Sequence, residues 1–315
     1  MAAFCLLAEA ANLVPAHSRH WRPSRWNSPQ LLASAPPSLY APFVESAEQI
    51  FAECGVELLS YDFVDDELMK GAQGTSGSGA KAQPVELTVR AWRTDVAIRQ
   101  ARLALIEGGD ALQVLNFCIF PSVERCPGLP TFAADLVTLP GGHLIALDYA
   151  PNSADLASDV AYAPDGALAT AFARHRPSLP DGGKIPEAAS KYFSPYFLWS
   201  RLPLGADSEA LLSSAVLPAF EEYLRGYLRL VTDAEGAWSE TGGGGGGEAD
   251  EADEAGSRRL LEARQAQLAY SRYRADEDPA RPMLTRLFGA VYAERLIREL
   301  LFDLPLRLQG THEDA

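Results

Sequence analysis

The sequence predicts an α/β fold, a three-layer α/β/α sandwich around a central antiparallel sheet. Three observations carry this. From Val85 to Tyr149, segments of strand character follow one another through short turns, and strands joined so closely pair antiparallel, since parallel neighbours need long crossovers. Segments with apolar residues at helical spacing lie both before and after them. The later strands are apolar almost throughout, as strands covered on both faces must be.

Taken in order, residues 1–34 stand apart. They hold one acid, Glu9, against Arg19, Arg22 and Arg25, with Ser, Pro and two Trp mixed in. That is the composition of a transit-peptide remnant; an ordinary frayed terminus is the alternative. Residues 35–315 form one domain. A first helix spans about Ala41 to Cys54, with Phe43, Ala47, Ile50, Phe51 and Cys54 on one face, Pro42 in its first turn and Gly55 ending it. Residues 71–83 read as a Gly/Ser/Ala loop. Val85–Arg93 alternates apolar and polar, and Arg99–Ile106 alternates again. Gly108-Gly109-Asp110 turns the chain into a strand over Ala111–Phe120. Phe132–Leu139 and His143–Tyr149 follow, joined by Pro140-Gly141-Gly142.

The last third reads as helical. Leu211 to Leu228 keeps a 3.6-residue period with a kink at Pro218, 258–275 is an arginine-rich helix, and Leu284 to Leu301 lines a third, interrupted at Gly289. Between the first two lies a segment over 233–256 with eight acids, no Lys or Arg up to Glu254, and six consecutive glycines, Gly242 to Gly247. It reads as a disordered insertion.

Composition excludes several classes. A net charge of −15 argues against nucleic acid as partner. No apolar run is long enough to span a bilayer. Cys5, Cys54, Cys118 and Cys126 form no CxxC pair, and the five histidines show no HExxH spacing, so the cysteines read as reduced thiols and no metal site is expected. No GxGxxG follows a strand, which leaves a dinucleotide fold without support.

Two polar side chains interrupt the apolar strands. Asn116 sits within Val114–Phe120, and Asp135 between Phe132-Ala133-Ala134 and Leu136-Val137. A buried carboxylate is costly unless paired, hydrogen-bonded or protonated. It is either a group kept to hand a proton to a ligand or an acid satisfied by neighbouring backbone.

These residues belong to longer motifs. They are Leu115-Asn116-Phe117 with Phe120-Pro121, PTFAADLVTLP from Pro130, GHLIALD from Gly142, FSPYFLWSRLPLG from Phe193, and YRADEDPARPMLTR from Tyr273. Together they resemble the ferredoxin-dependent bilin reductases over roughly residues 39–303. The resemblance implies an open-chain tetrapyrrole held between an antiparallel sheet and the C-terminal helices. It implies no bound cofactor or metal: reduced ferredoxin supplies electrons singly, through a bilin radical, and aspartates supply protons. In the branch the motifs resemble most, 15,16-dihydrobiliverdin is reduced at its A-ring diene to (3Z)-phycoerythrobilin, which implies an upstream bilin reductase as supplier. A relative acting on biliverdin itself, giving phycoerythrobilin or phytochromobilin, and a non-catalytic bilin carrier are the alternatives. The resemblance together with the N-terminus points to the plastid stroma.

Residue by residue, Asp135 matches the family's central aspartate and Asp278 its distal one. Asp278 precedes Pro279, which pushes it out of helical geometry; capping the following helix is its other reading. Asn116 stands where another branch has a histidine. It cannot donate a catalytic proton at neutral pH, but it can hydrogen-bond a ring carbonyl or orient Asp135. His143 reads as structural. Arg201 and Arg274 are candidates for the bilin propionates, since Arg binds carboxylates bidentately, and Phe132 and Phe197 for the substrate wall. Ferredoxin, an acidic partner, is expected on the arginine-rich stretch that includes Arg258, Arg259, Arg264, Arg272, Arg274, Arg281 and Arg286.

Overall fold

A computed structural model describes residues 38–77, 82–110, 112–151, 160–185, 187–240 and 251–310. The N-terminal segment 1–34 lies outside them. The chain begins with α1 (Ala41–Glu53), β1 (Leu59–Ser60), α2 (Asp66–Met69), β2 (Ala72–Ser76), β3 (Gln83–Arg93), β4 (Ile98–Glu107), β5 (Gln113–Pro121), β6 (Thr131–Leu139) and β7 (Gly142–Ala150). There follow α3 (Ala167–His175), α4 (Glu187–Ser190), β8 (Leu198–Leu202), α5 (Ala206–Leu211), α6 (Leu217–Glu240), α7 (Glu251–Glu277), α8 (Arg281–Phe288), α9 (Ala290–Arg295) and α10 (Leu304–Gly310). Among the described residues the eight strands form one sheet in the order β1-β3-β4-β5-β6-β7-β8, with β2 also on β3, every pairing antiparallel.

The three-layer expectation holds. One face of the sheet carries α1, α3 and α6, through Phe43, Phe51, Leu168, Phe220, Tyr223 and Tyr227 packed on Leu103, Phe117, Phe132 and Leu147. The other face carries α2 and the C-terminal helices, through Leu68, Tyr270, Leu284, Leu287, Ile297 and Leu300 packed on Leu87, Val114, Ala133 and Ala146. Strand alternation sends successive side chains to opposite layers, so β5 and β6 are buried at every position but Leu139.

Several expectations change. The loop over 71–83 contains a strand, β2, which an edge position allows because only backbone pairing is needed there. Gly74 is required by close packing, since a Cβ would meet the Leu287 carbonyl oxygen at 2.2 Å. The strand β8 is hidden in the aromatic motif Phe-Leu-Trp-Ser-Arg. The kink at Pro218 is a π-helical stretch over Leu212–Val216, a wider turn that accommodates the missing N–H and the ring. A second π-helical stretch, Leu296–Leu301, follows α9. The insertion expected over 233–256 is helical at both ends, since α6 runs to Glu240 and α7 starts at Glu251. Helix propensity of Ala and Glu there outweighs the charge, and within this segment only 241–250, with the glycine run, lies outside the described residues. Gly289, at φ +87°, breaks the last helical segment as expected.

Candidate active site

The polar residues cluster on the face beneath the C-terminal helices. Asn116 of β5 and Asp135 of β6 are direct cross-strand partners, and both point to this side with Val114, Cys118, Ala133 and Val137. Ala104 on β4 and Ala146 on β7 extend the same row, so small side chains flank the pair. The Asn116 amide nitrogen donates to Asp135 Oδ1. The Asn116 carbonyl oxygen accepts from Arg102 Nη1. Arg102 is two positions from Ala104 on β4 and has no exposed surface. Its Nε donates to the Leu301 carbonyl at 3.1 Å, and its guanidinium lies 5.8 Å from the Phe120 ring and 5.4 Å from the Phe302 ring.

The opposing wall comes from the junction of α7 and α8. Pro279 bars the preceding residue from continuing the helix, and Asp278 Oδ1 accepts the Ala280 N–H at 2.7 Å. Arg274, one turn back, donates to Asp278 Oδ2 at 3.0 Å, with both side chains 3% exposed. Asp278 therefore closes a turn just ahead of α8, whose N-cap is Ala280 without a side-chain cap bond, and it also lines a cavity between sheet and helices. That cavity measures about 20 Å³ and is bounded by Asn116, Ala104 and Val114 below and by Asp278, Leu284 and Leu301 above. It has room for about one water. Sheet-side and helix-side polar groups therefore meet across one apolar gap.

Other expected residues fall elsewhere. Phe132 is on the opposite face, buried between Phe117, Phe220, Tyr149 and Tyr227. Three positions from Asp135 is an odd spacing, and a strand sends odd-spaced side chains to opposite sides; Phe132 is core, not pocket wall. Phe197 is on the cavity side, near the β8 edge, stacked at 4.3 Å on Phe193 and 6.2 Å from Trp199, both at 10° interplanar angle. Arg201 is exposed on β8, 5.4 Å from the Trp199 ring, where it can meet a carboxylate in solvent. Arg274 is not so placed: it is buried and ion-paired with Asp278 inside the helical layer. His143 binds Thr138 at 2.9 Å, which binds Tyr40 at 2.8 Å, all on the far face.

Sequence reasoning missed two residues. Arg102 reads as a solvent-facing residue of an alternating strand, but the helices cover that face. Asp148 of β7 is another acid in an apolar run, on the cavity face two positions from Ala146. It accepts from both the backbone N–H (2.9 Å) and the hydroxyl of Ser194. Burial pushes its pKa up to about 6, against the lowering effect of the Ser194 bonds. The signal was present, since Asp148 interrupts Ile145–Ala150 as Asp135 interrupts its own strand.

The family model for ferredoxin-dependent bilin reductases matches residues 62–303. The chain belongs to that family: it is an oxidoreductase whose partners are ferredoxin and a bilin. Among curated relatives, phycoerythrobilin:ferredoxin oxidoreductase of Synechococcus sp. (strain RCC307) is 41% identical over 272 residues, covering 84% of this chain and 91% of the relative. The protein of the same name from Gloeobacter violaceus is 38% identical over 277 residues, covering 87% and 99%. Both sources are cyanobacteria. In fold, the chain is similar to the crystal structure of tomato phytochromobilin synthase in complex with biliverdin, with a TM-score of 0.64, 24% identity and coverage of 84% and 83%. Among the described residues no helix is long and apolar enough to cross a membrane.

Proposed function

We propose that this protein catalyses the ferredoxin-dependent, two-electron reduction of the A-ring diene of 15,16-dihydrobiliverdin to (3Z)-phycoerythrobilin. The observation that carries the reading is the cavity bounded by Asn116, bonded to Asp135, on the sheet side and by Asp278 on the helix side. The shared name of the relatives that match most of the chain supports the product.

Reduced ferredoxin supplies electrons one at a time, and the chain needs no bound cofactor of its own. An added electron makes the conjugated bilin more basic, so a donor already in contact is favoured. Asp135 gives one proton from below and Asp278 one from above, and Asn116 holds Asp135 in place. Arg274 orients Asp278 through its ion pair, while exposed Arg201 is the propionate partner and Phe197 borders the bilin. A tetrapyrrole needs a site of several hundred Å³, far above the present gap, so the helical layer moves off the sheet when it binds. The acid-poor, Arg- and Ser-containing N-terminus supports delivery to the plastid stroma, where an upstream bilin reductase supplies the substrate.

The test is anaerobic turnover with reduced ferredoxin and, separately, 15,16-dihydrobiliverdin and biliverdin, with product identification. Turnover of the first to (3Z)-phycoerythrobilin is expected. Turnover of biliverdin alone would overturn the substrate assignment. Asp135→Asn should keep bilin binding and lose ~10²–10⁴-fold in rate, the range of general acid catalysis. A rate within a few-fold of wild type would remove Asp135 from the chemistry.

A further inference from the structure

The geometry points to Arg102 as a positioning residue of the reduction: it fixes the Asn116 amide, and through it determines which oxygen of Asp135 gives the proton. An arginine only donates hydrogen bonds. Arg102 Nη1 is bonded to Asn116, so the amide oxygen must be the end that faces it. The amide nitrogen must then face Asp135, as it does. The orientation of a buried amide is usually ambiguous, and here an arginine resolves it.

The consequence falls on Asp135. Its Oδ1 is held as an acceptor, so in the protonated acid the proton resides on Oδ2. During reduction the Oδ2–H bond breaks, a new bond from that hydrogen forms on the bilin, and the electron comes from ferredoxin. The carboxylate left behind keeps the Asn116 N–H, and Arg102 polarises that bond with a permanent buried charge. The arginine itself is held from every side: by Leu301 O at Nε and by the rings of Phe120 and Phe302 at its faces. Its Nη2 has no hydrogen-bond partner among the described residues. Replacing only the packing of Arg102 would therefore not reproduce its effect.

Other charged groups of this layer could also shift a proton equilibrium. They are Asp148 on β7, Arg274 and Asp278 at the α7–α8 junction, and Asp303 with Arg99 at the sheet end. The variants leave all of them in place.

This inference rests on the reading that Asp135 protonates the bilin. The experiment is single-turnover reduction of bound bilin by reduced ferredoxin, followed by absorbance across the pH range, for wild type, Arg102→Lys and Arg102→Gln. Glutamine both donates and accepts, so it releases the amide and removes the charge. Arg102→Gln should slow proton transfer ~10–100-fold, the size of a lost charge-assisted hydrogen bond. A donor works only while protonated, and loss of a nearby cation makes the acid weaker. The alkaline fall in rate should therefore move to higher pH in Arg102→Gln and stay near the wild-type position in Arg102→Lys. A purely structural role would lower thermal stability in both and move neither profile. Unmoved profiles with rates within about threefold of wild type would overturn the inference. If Arg102→Gln does not fold, Arg102→Met decides in its place: an alkaline limb moved to higher pH supports the inference, and an unmoved limb overturns it. A fully active Asp135→Asn would instead overturn the underlying reading, so the two failures are distinguishable.

Discussion

Replacing Asp148 by Asn should change how stability depends on pH, by an amount the structure sets. Burial holds the folded-state pKa at about 6, against an ordinary 3.8. The folded state thus binds this proton more tightly than the unfolded chain does. Below about pH 4 both states are protonated and the site costs nothing. As pH rises from about 4 to about 6 the unfolded chain ionises first, and folding loses stability. Above about pH 6 the cost is constant, about 3 kcal/mol at ~1.4 kcal/mol per pH unit. Asparagine fits the same place. Its Oδ1 can accept the Ser194 N–H, and its Nδ2 can donate to the Ser194 hydroxyl once that hydroxyl rotates. The variant carries no titrating group, so wild type should lose about 3 kcal/mol relative to it between pH 4 and pH 7.5. For a chain of this size that is roughly 4–6 °C in Tm. Thermal unfolding of both proteins at the two pH values measures the difference. Parallel Tm changes, within about 1 °C, would show that Asp148 ionises without penalty and that burial does not dominate its surroundings.

Phe132→Ala should cost about 3–5 kcal/mol in urea unfolding, because the ring is buried among four others, and should leave bilin affinity unchanged because it lies behind the sheet. A bilin titration with markedly weaker binding and intact folding would return Phe132 to the pocket. Replacing residues 241–250 by a short Gly/Ser linker should alter stability by less than about 1 kcal/mol, since the helices on either side remain and loop length enters only logarithmically. A larger drop in Tm would mean the segment docks on the domain. Arg258, Arg259 and Arg264 are exposed on α7, with Arg264 3.3 Å from Glu124, whereas Arg274 of the same sequence cluster is buried. Their joint reversal to Glu should slow ferredoxin-driven turnover at low salt, the difference fading as the Debye length falls below ~8 Å. Wild-type rates with wild-type salt dependence would place the ferredoxin elsewhere.

The middle of the sheet was legible because two periodicities coincide there. Alternation located β3 to β7 within one or two residues, and unbroken apolar strands announced a cover on both faces. The pairing of Asn116 with Asp135 follows from a short connection between two adjacent antiparallel strands. What stayed hidden lacked such a signal. The strand β2 is a short Gly-Thr-Ser run without apolar alternation, and β8 is five residues long and follows directly on the aromatic pair Tyr196-Phe197. Phe132 was misplaced although its spacing from Asp135 was visible, because a shared motif says nothing about which face a side chain takes. Arg102 failed for the opposite reason. Alternation placed it correctly, but only tertiary structure shows that helices bury that face.

On the proposed function, a planar ligand entering between the layers would leave the buried carboxylates with their partners. The bonds joining Asp135, Asn116 and Arg102 run along the sheet, and Arg274 with Asp278 forms a pair within the helical layer. Both guanidiniums lie against the Phe302 ring, Arg102 at 5.4 Å and Arg274 at 5.2 Å. Three side chains of β4 bond the C-terminal segment and join the layers at one corner. Gln100 donates to Leu300 O at 3.0 Å, Arg102 to Leu301 O at 3.1 Å, and Arg99 to Asp303 at 2.8 Å. Across the cavity itself the contacts are apolar, Val114 and Ala104 against Leu284 and Leu296. On the proposed function, separation there gives up dispersion and burial that a bilin face would restore, and it leaves each carboxylate with its polar partner. A buried acid stripped of its partner would cost several kcal/mol. Keeping each carboxylate paired inside one layer avoids that cost, which is what the proposed reaction needs of Asp135 and Asp278.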